Sequence, residues 1–133
     1  MCKIGDLIVI TKYKHAGEDI SKHTFVVIDD EHGEICGLDY DFVCNVLSSF
    51  KDEKHKAEKL RYEGNVGFLN SQTHTDPNNG KDGYIKVNQL YYFNKDSIEF
   101  VRIGEFDKNF FERLLRYIEN ADLDFEAVID NLQ

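Results

Sequence analysis

Over its first hundred positions the chain carries apolar residues in short runs or in alternation, and only after Gly104 does the period become helical. Residues 25–28, Phe-Val-Val-Ile, form a continuous apolar run rich in β-branched side chains. Gly33, behind the acidic stretch 29–31, gives the backbone freedom to reverse, so residues 21–28 predict a central strand entering a hairpin. Residues 7–11 read as a strand buried on both faces. The polar stretch 12–20 between them reads as a loop, and a loop of that length in a small domain is more often functional than idle. Further strands are predicted at 35–38, at 42–47 running into Ser48 and Ser49, and at 66–69, 84–87, 91–93 and 97–103. Residues 52–60 hold good helix formers with almost no apolar stripe and read as a short exposed helix or a mobile loop. The stretch 72–83, dense in turn residues, reads as a surface loop.

Phe110, Phe111, Leu114, Leu115 and Ile118 recur at helical spacing behind Asp107, a favourable N-cap, and predict a helix to about Asn120. A second amphipathic segment, 123–132, follows a short break and reads as another helix. Short strands joined by polar turns favour a small, strongly curved antiparallel barrel over a βαβ sheet. The expected class is therefore mainly β with C-terminal helices (α+β), in one domain over 1–133: a barrel over 1–104 and helices over 105–133.

The chain has 133 residues, 41% apolar and 31% charged, with one proline, which is a globular composition. No apolar run approaches the roughly 20 residues that span a bilayer, and the start has no signal-peptide pattern, so a soluble cytoplasmic protein is expected. Three cysteines without CxxC spacing agree with a reducing compartment, and Cys36 and Cys44, in apolar contexts, read as small buried hydrophobes. A zinc site drawn from His32, Cys36, Cys44 and His55 matches no standard spacing; no metal or cofactor is expected. The histidines His15, His32, His55 and His74 lie in polar stretches and read first as solvated.

A net charge of −9 excludes a general nucleic-acid coating protein and makes any RNA contact local. Basic residues cluster only at Lys12, Lys14 and Lys22 and over 51–61, which holds five Lys and Arg against three acids.

The order KIGDLIVI, HTFVVI, a strand ending NVLSS, then GYIKVNQLYYF, IEFVRIG and a helix FFERLLRYIE resembles the PemK/MazF-like growth-inhibitor family. That resemblance implies a small SH3-like barrel with a C-terminal helix, homodimer formation, ribonuclease toxin activity and neutralisation by an antitoxin. In active members an arginine near the start of the second strand and a serine or threonine ending a later strand act on the scissile phosphate. Here Lys22 and His23 stand at the first position and Ser48 or Ser49 at the second. Lysine lacks the planar bidentate fork of arginine, so the usual mechanism is not carried over intact.

Cleavage of RNA by its own 2′-hydroxyl needs a base, an acid and donors for the developing phosphorane charge, but no metal. An imidazole, with an unperturbed pKa of about 6.5, suits either proton role, which His23 would take. Lys22 would steady the phosphate, Ser48 or Ser49 would donate a hydrogen bond, and Lys12, Lys14 or His15 on the first loop would close over the RNA. Two other classes fit the sequence. One is a silent barrel of the same family that binds a protein, and the other is a DNA-mimic inhibitor displaying Asp122, Asp124, Glu126 and Asp130. A basic groove beside His23 and Ser48 would favour the enzyme, and continuous acidic surface there would favour the binder.

Overall fold

The computed structural model describes residues 2–75 and 81–133. Residues 76–80, part of the expected 72–83 loop, lie outside the described residues. Strands β1 (Asp6–His15) and β2 (Glu18–Asp29) form one long antiparallel hairpin, in register from Leu7↔Val26 to His15↔Glu18. The expected loop over 12–20 is therefore not present. Ala16 and Gly17 make a two-residue turn with φ of 54° and 78°, the positive values a type I′ turn requires, and its twist matches that of paired strands. Only Tyr13 is fully buried in the projecting part, which is why its polar residues read as a loop.

β2 pairs with β5 (Phe42–Ser49) from Phe25↔Val46 to Asp29↔Val43. Between them β3 (Gly33–Ile35) and β4 (Leu38–Tyr40) form a separate small hairpin. Cys36, expected to be buried, is exposed at its turn, with φ of 52° ahead of Gly37 at 77°. A reversal that tight leaves its central side chains in solvent.

β5 takes two partners along its other edge. Phe42–Cys44 pairs with β9 (Gln89–Phe93), and Leu47–Ser49 pairs with β8 (Gly83–Lys86), which also pairs with β6 (Asn65–Phe68). On the far side β1 pairs with β10 (Phe100–Phe106), and β10 with β7 (Thr73–Thr75). The main path is β11-β9-β5-β2-β1-β10-β7, with β11 (Glu126–Val128) added in parallel on β9. The antiparallel class holds. The expected closed barrel does not form, because β7 and β11 end the path and no ladder joins them among the described residues.

The second expected C-terminal helix is also replaced. Residues 126–128 lie as β11 on the open edge of β9, and a single 3₁₀ turn follows at Asp130–Leu132. Val128 is the one fully buried residue of 123–132, too little apolar face for a packed helix, while the strand edge supplies ready backbone partners.

Val26 and Val27 show why the central run is continuous: neighbours on a strand point to opposite faces, and here both faces are buried. Val27 joins Ile8, Ile10, Phe25, Phe42 and Phe93 in one layer. Val26 joins Leu7, Ile85 and Val87 in the other, covered by Phe110, Phe111 and Leu114 of α2 (Lys108–Asn120). The Asp107 carboxylate caps that helix by accepting from the Phe110 N–H at 3.3 Å, as expected. Among the described residues no helix is long and apolar enough to cross a membrane.

Asn45 is fully buried on β5, where that strand passes from one partner to the other. Its Nδ2 donates to the Gln89 carbonyl at 2.9 Å and towards the Val87 carbonyl at 3.4 Å, bolting β5 to the turn between β8 and β9. Asn45→Ala leaves those carbonyls without this donor and is expected to cost about 1–3 kcal/mol. The shift of the urea unfolding midpoint measures it, and a wild-type midpoint would show that the junction does not depend on the amide.

Candidate functional site

The ladder between β2 and β5 stops at Phe25↔Val46. Continuing the register would set Thr24 against Leu47, His23 against Ser48 and Lys22 against Ser49. Instead β2 goes on with β1 alone, while β5 turns to β8 through Leu47↔Ile85, Ser48↔Tyr84 and Ser49↔Gly83. The strands part, and a groove of about 730 Å³ opens, bordered by all six of those residues. Consecutive residues from both strands line it because it is a gap between strands and not a hollow over one face of a sheet. Gly83 is required for that path: a Cβ there would collide with the Ser48 carbonyl, so only glycine lets β8 lie this close to β5.

The far wall comes from the segment after β5. α1 (Glu53–Leu60) buries no residue and is held by its cap, the Asp52 carboxylate accepting from the His55 N–H at 2.8 Å. Lys51, His55 and Lys59 border the groove from this segment, Lys81 from just ahead of β8, and Tyr84 from β8 itself. Four lysines, Lys22, Lys51, Lys59 and Lys81, thus line a groove that carries no acidic side chain among its described lining residues. On a chain of net charge −9, such a local reversal of sign concentrates anions at one place.

No known protein family, curated protein or solved structure matches this chain. What the groove does must be read from its own residues.

Lys22, His23, Ser48 and Ser49, singled out in the sequence, are brought together on its facing walls. Lys12, Lys14 and His15 do not line it; with the loop folded into a hairpin, they sit towards its tip. Lys12 pairs with Asp19 at 3.6 Å, an exposed contact worth little. The Lys14 backbone is bracketed by the Asn131 amide, at 2.8 and 3.0 Å. His15 places Nε2 3.0 Å from Glu126 and Nδ1 3.1 Å from the Tyr91 hydroxyl. Lys14 and His15 fasten the hairpin to the C-terminal segment. Sequence reasoning missed His55, Lys51, Lys59 and Lys81. The available signal was the basic island at 51–61, whose lack of an apolar stripe says that the helix serves its surface.

His23 carries a defined proton arrangement. Its Nδ1 lies 2.9 Å from the Ser21 carbonyl, which only accepts, so Nδ1 holds the hydrogen and the neutral ring keeps its lone pair on Nε2. The Tyr13 hydroxyl stands 3.3 Å from the same nitrogen, with the two rings edge-on. Tyr13 also meets Tyr91 edge-on at 5.5 Å, so polar groups run from Glu126 through His15, Tyr91 and Tyr13 to the groove histidine. Among the described residues no three His, Cys, Asp or Glu side chains cluster as metal ligands would.

Burial pushes the Tyr13 phenol up to about 12, partly offset by its hydrogen bond with Tyr91, and raises Tyr91 as well, helped by Tyr13 and Glu126. A phenol whose folded pKa lies above its unfolded value of about 10 contributes stability that is complete below pH ~10 and is lost as pH rises through about 12. The melting temperature is therefore expected to fall between about pH 10 and 12, and to fall less in Tyr13→Phe; equal alkaline slopes would remove Tyr13 from the account. Gly83→Ala is expected to destabilise by about 1–3 kcal/mol through overpacking against Ser48, read in thermal unfolding; a neutral effect would mean β8 can back away freely.

Proposed function

We propose that the groove binds RNA and that the protein is an endoribonuclease that cuts without metal, through the substrate's own 2′-hydroxyl. The observation that carries this reading is the lysine-lined groove, without an acidic side chain among its described lining residues, with His23 on one wall and Ser48 and Ser49 on the other. Lysines spaced along a gap suit successive phosphates, and a groove open at the surface admits a single strand.

On this reading the Nε2 of His23 takes the 2′-hydroxyl proton as the 2′-oxygen bonds to phosphorus and the P–O5′ bond breaks. Ser48 or Ser49 and the Lys22 ammonium face the oxygens on which charge develops. The departing 5′-oxygen takes a proton from a groove ammonium, which water replenishes. The products are a 2′,3′-cyclic phosphate and a 5′-hydroxyl. The antiparallel sheet with a C-terminal helix packed on it supports kinship with the PemK/MazF-like toxins, with an opened sheet and lysine in the place of arginine. An antitoxin and a homodimeric active form belong to the same proposal.

The test is a mixed RNA pool incubated with the protein in chelator, with the new ends mapped. Cleavage leaving cyclic phosphates is expected, about 10²–10⁴-fold slower in His23→Ala and impaired in the Ser48→Ala/Ser49→Ala pair. Affinity for an uncleavable oligonucleotide should drop steeply with salt. Folded wild-type protein that leaves the pool intact would overturn the reading.

A further inference from the structure

The groove holds a second imidazole whose proton arrangement is the reverse of the first. His55 lies in the first turn of α1 with Nδ1 3.0 Å from the Lys51 backbone N–H, a group that only donates. Nδ1 must therefore accept, and the neutral ring carries its hydrogen on Nε2. The ring stands edge-on to Phe50 and Tyr84, with centroids 6.4 and 6.2 Å away, and those two rings stack on each other at 5.2 Å. The Asp52 cap on its backbone N–H fixes the residue from below. Position, ring plane and tautomer are thus set by residues 50–55 and the start of β8. The Nε2–H itself has no hydrogen-bond partner among the described residues, on a half-buried ring that borders the groove. A donor held this firmly and left unused is suited to an acceptor that arrives from outside.

We propose that His55 contacts the substrate, its Nε2–H donating to a non-bridging phosphoryl oxygen of RNA bound in the groove. This rests on the RNA-cleaving reading and extends it. His23 presents a lone pair and His55 a hydrogen, so the two neutral rings divide the work of accepting the 2′-hydroxyl proton and stabilising the charge that follows. His55 acts as a donor that needs no charge of its own. No proton leaves it during the reaction.

The experiment uses the full chain, ¹⁵N-labelled at histidine, with a 2′-deoxy oligonucleotide as the uncleavable probe, beside cleavage kinetics for His55→Ala and His55→Gln. Free protein is expected to show His55 as the Nε2–H tautomer and His23 as the Nδ1–H tautomer, with the probe shifting the His55 Nε2 signal. His55→Ala should lose about 10²-fold in kcat/KM, while His55→Gln, whose amide N–H lies near the position of Nε2, should keep activity within about tenfold of wild type. A Nδ1–H tautomer at His55, or a probe that binds without moving its signal while His55→Ala cleaves normally, would overturn the proposal and leave the ribonuclease reading standing. A wild type that neither binds the probe nor cleaves RNA would overturn both.

Discussion

Past Phe25 and Val46 the two central strands stop bonding to each other, and the candidate site exists because of that separation. Each strand leaves for a better-defined partner. β2 is drawn along β1 by a hairpin whose turn needs positive φ at Ala16 and Gly17. β5 is drawn to β8, which Gly83 allows to approach, and the Asn45 amide holds the chain where β8 turns into β9. Backbone pairing is obligatory for buried polar groups, so a strand with a good partner on each side leaves no gap. Here the partners on the outer edges win, and the gap between them is wide enough for a ligand.

Electrostatics then decides what kind of ligand. The acids of residues 29–41 lie around the β3–β4 hairpin, and others lie along the C-terminal segment, while Lys51 and Lys59 beside and on α1 border the groove. A helix with no buried residue contributes little to the core, and its cap at Asp52 and the Asn65 amide on the Lys59 carbonyl hold its two ends beside the gap. Its value lies in the cations and the imidazole it carries. Because four lysines share one groove with no carboxylate among its described lining residues, their charges add locally even though the whole chain is acidic.

The C-terminal segment ties these parts together from behind. β11 completes the edge of β9, and Asn131 and Asp130 hold the backbone at Lys14 and Gly17. Glu126, His15, Tyr91 and Tyr13 then lead through polar contacts to the Nδ1 side of His23. The hairpin that shapes one wall of the groove is thereby braced at its tip, and the histidine on that wall is oriented from the buried side.

Much of this was legible in the chain itself. The strands at 7–11, 25–28, 42–47 and 84–87 and the helix behind Asp107 follow from apolar runs, alternation and a cap, all of which act over a few neighbouring residues. Lys22, His23, Ser48 and Ser49 were likewise reachable, as polar residues at the ends of apolar strands. Residues 12–20 and 123–132 were misread because their secondary structure is supplied by partners distant in sequence: a type I′ turn with weak alternation in the first case, the free edge of β9 in the second. The same reason explains His55 and Lys81. Nothing local marks a histidine of a polar helix or a lysine ahead of a strand as bordering the same groove as Ser48, and only the divergence of β2 from β5 opens that groove. Local pattern determined which segments became strand or helix, and tertiary structure decided which of their polar ends meet, because that depends on which strand edges remain unpaired.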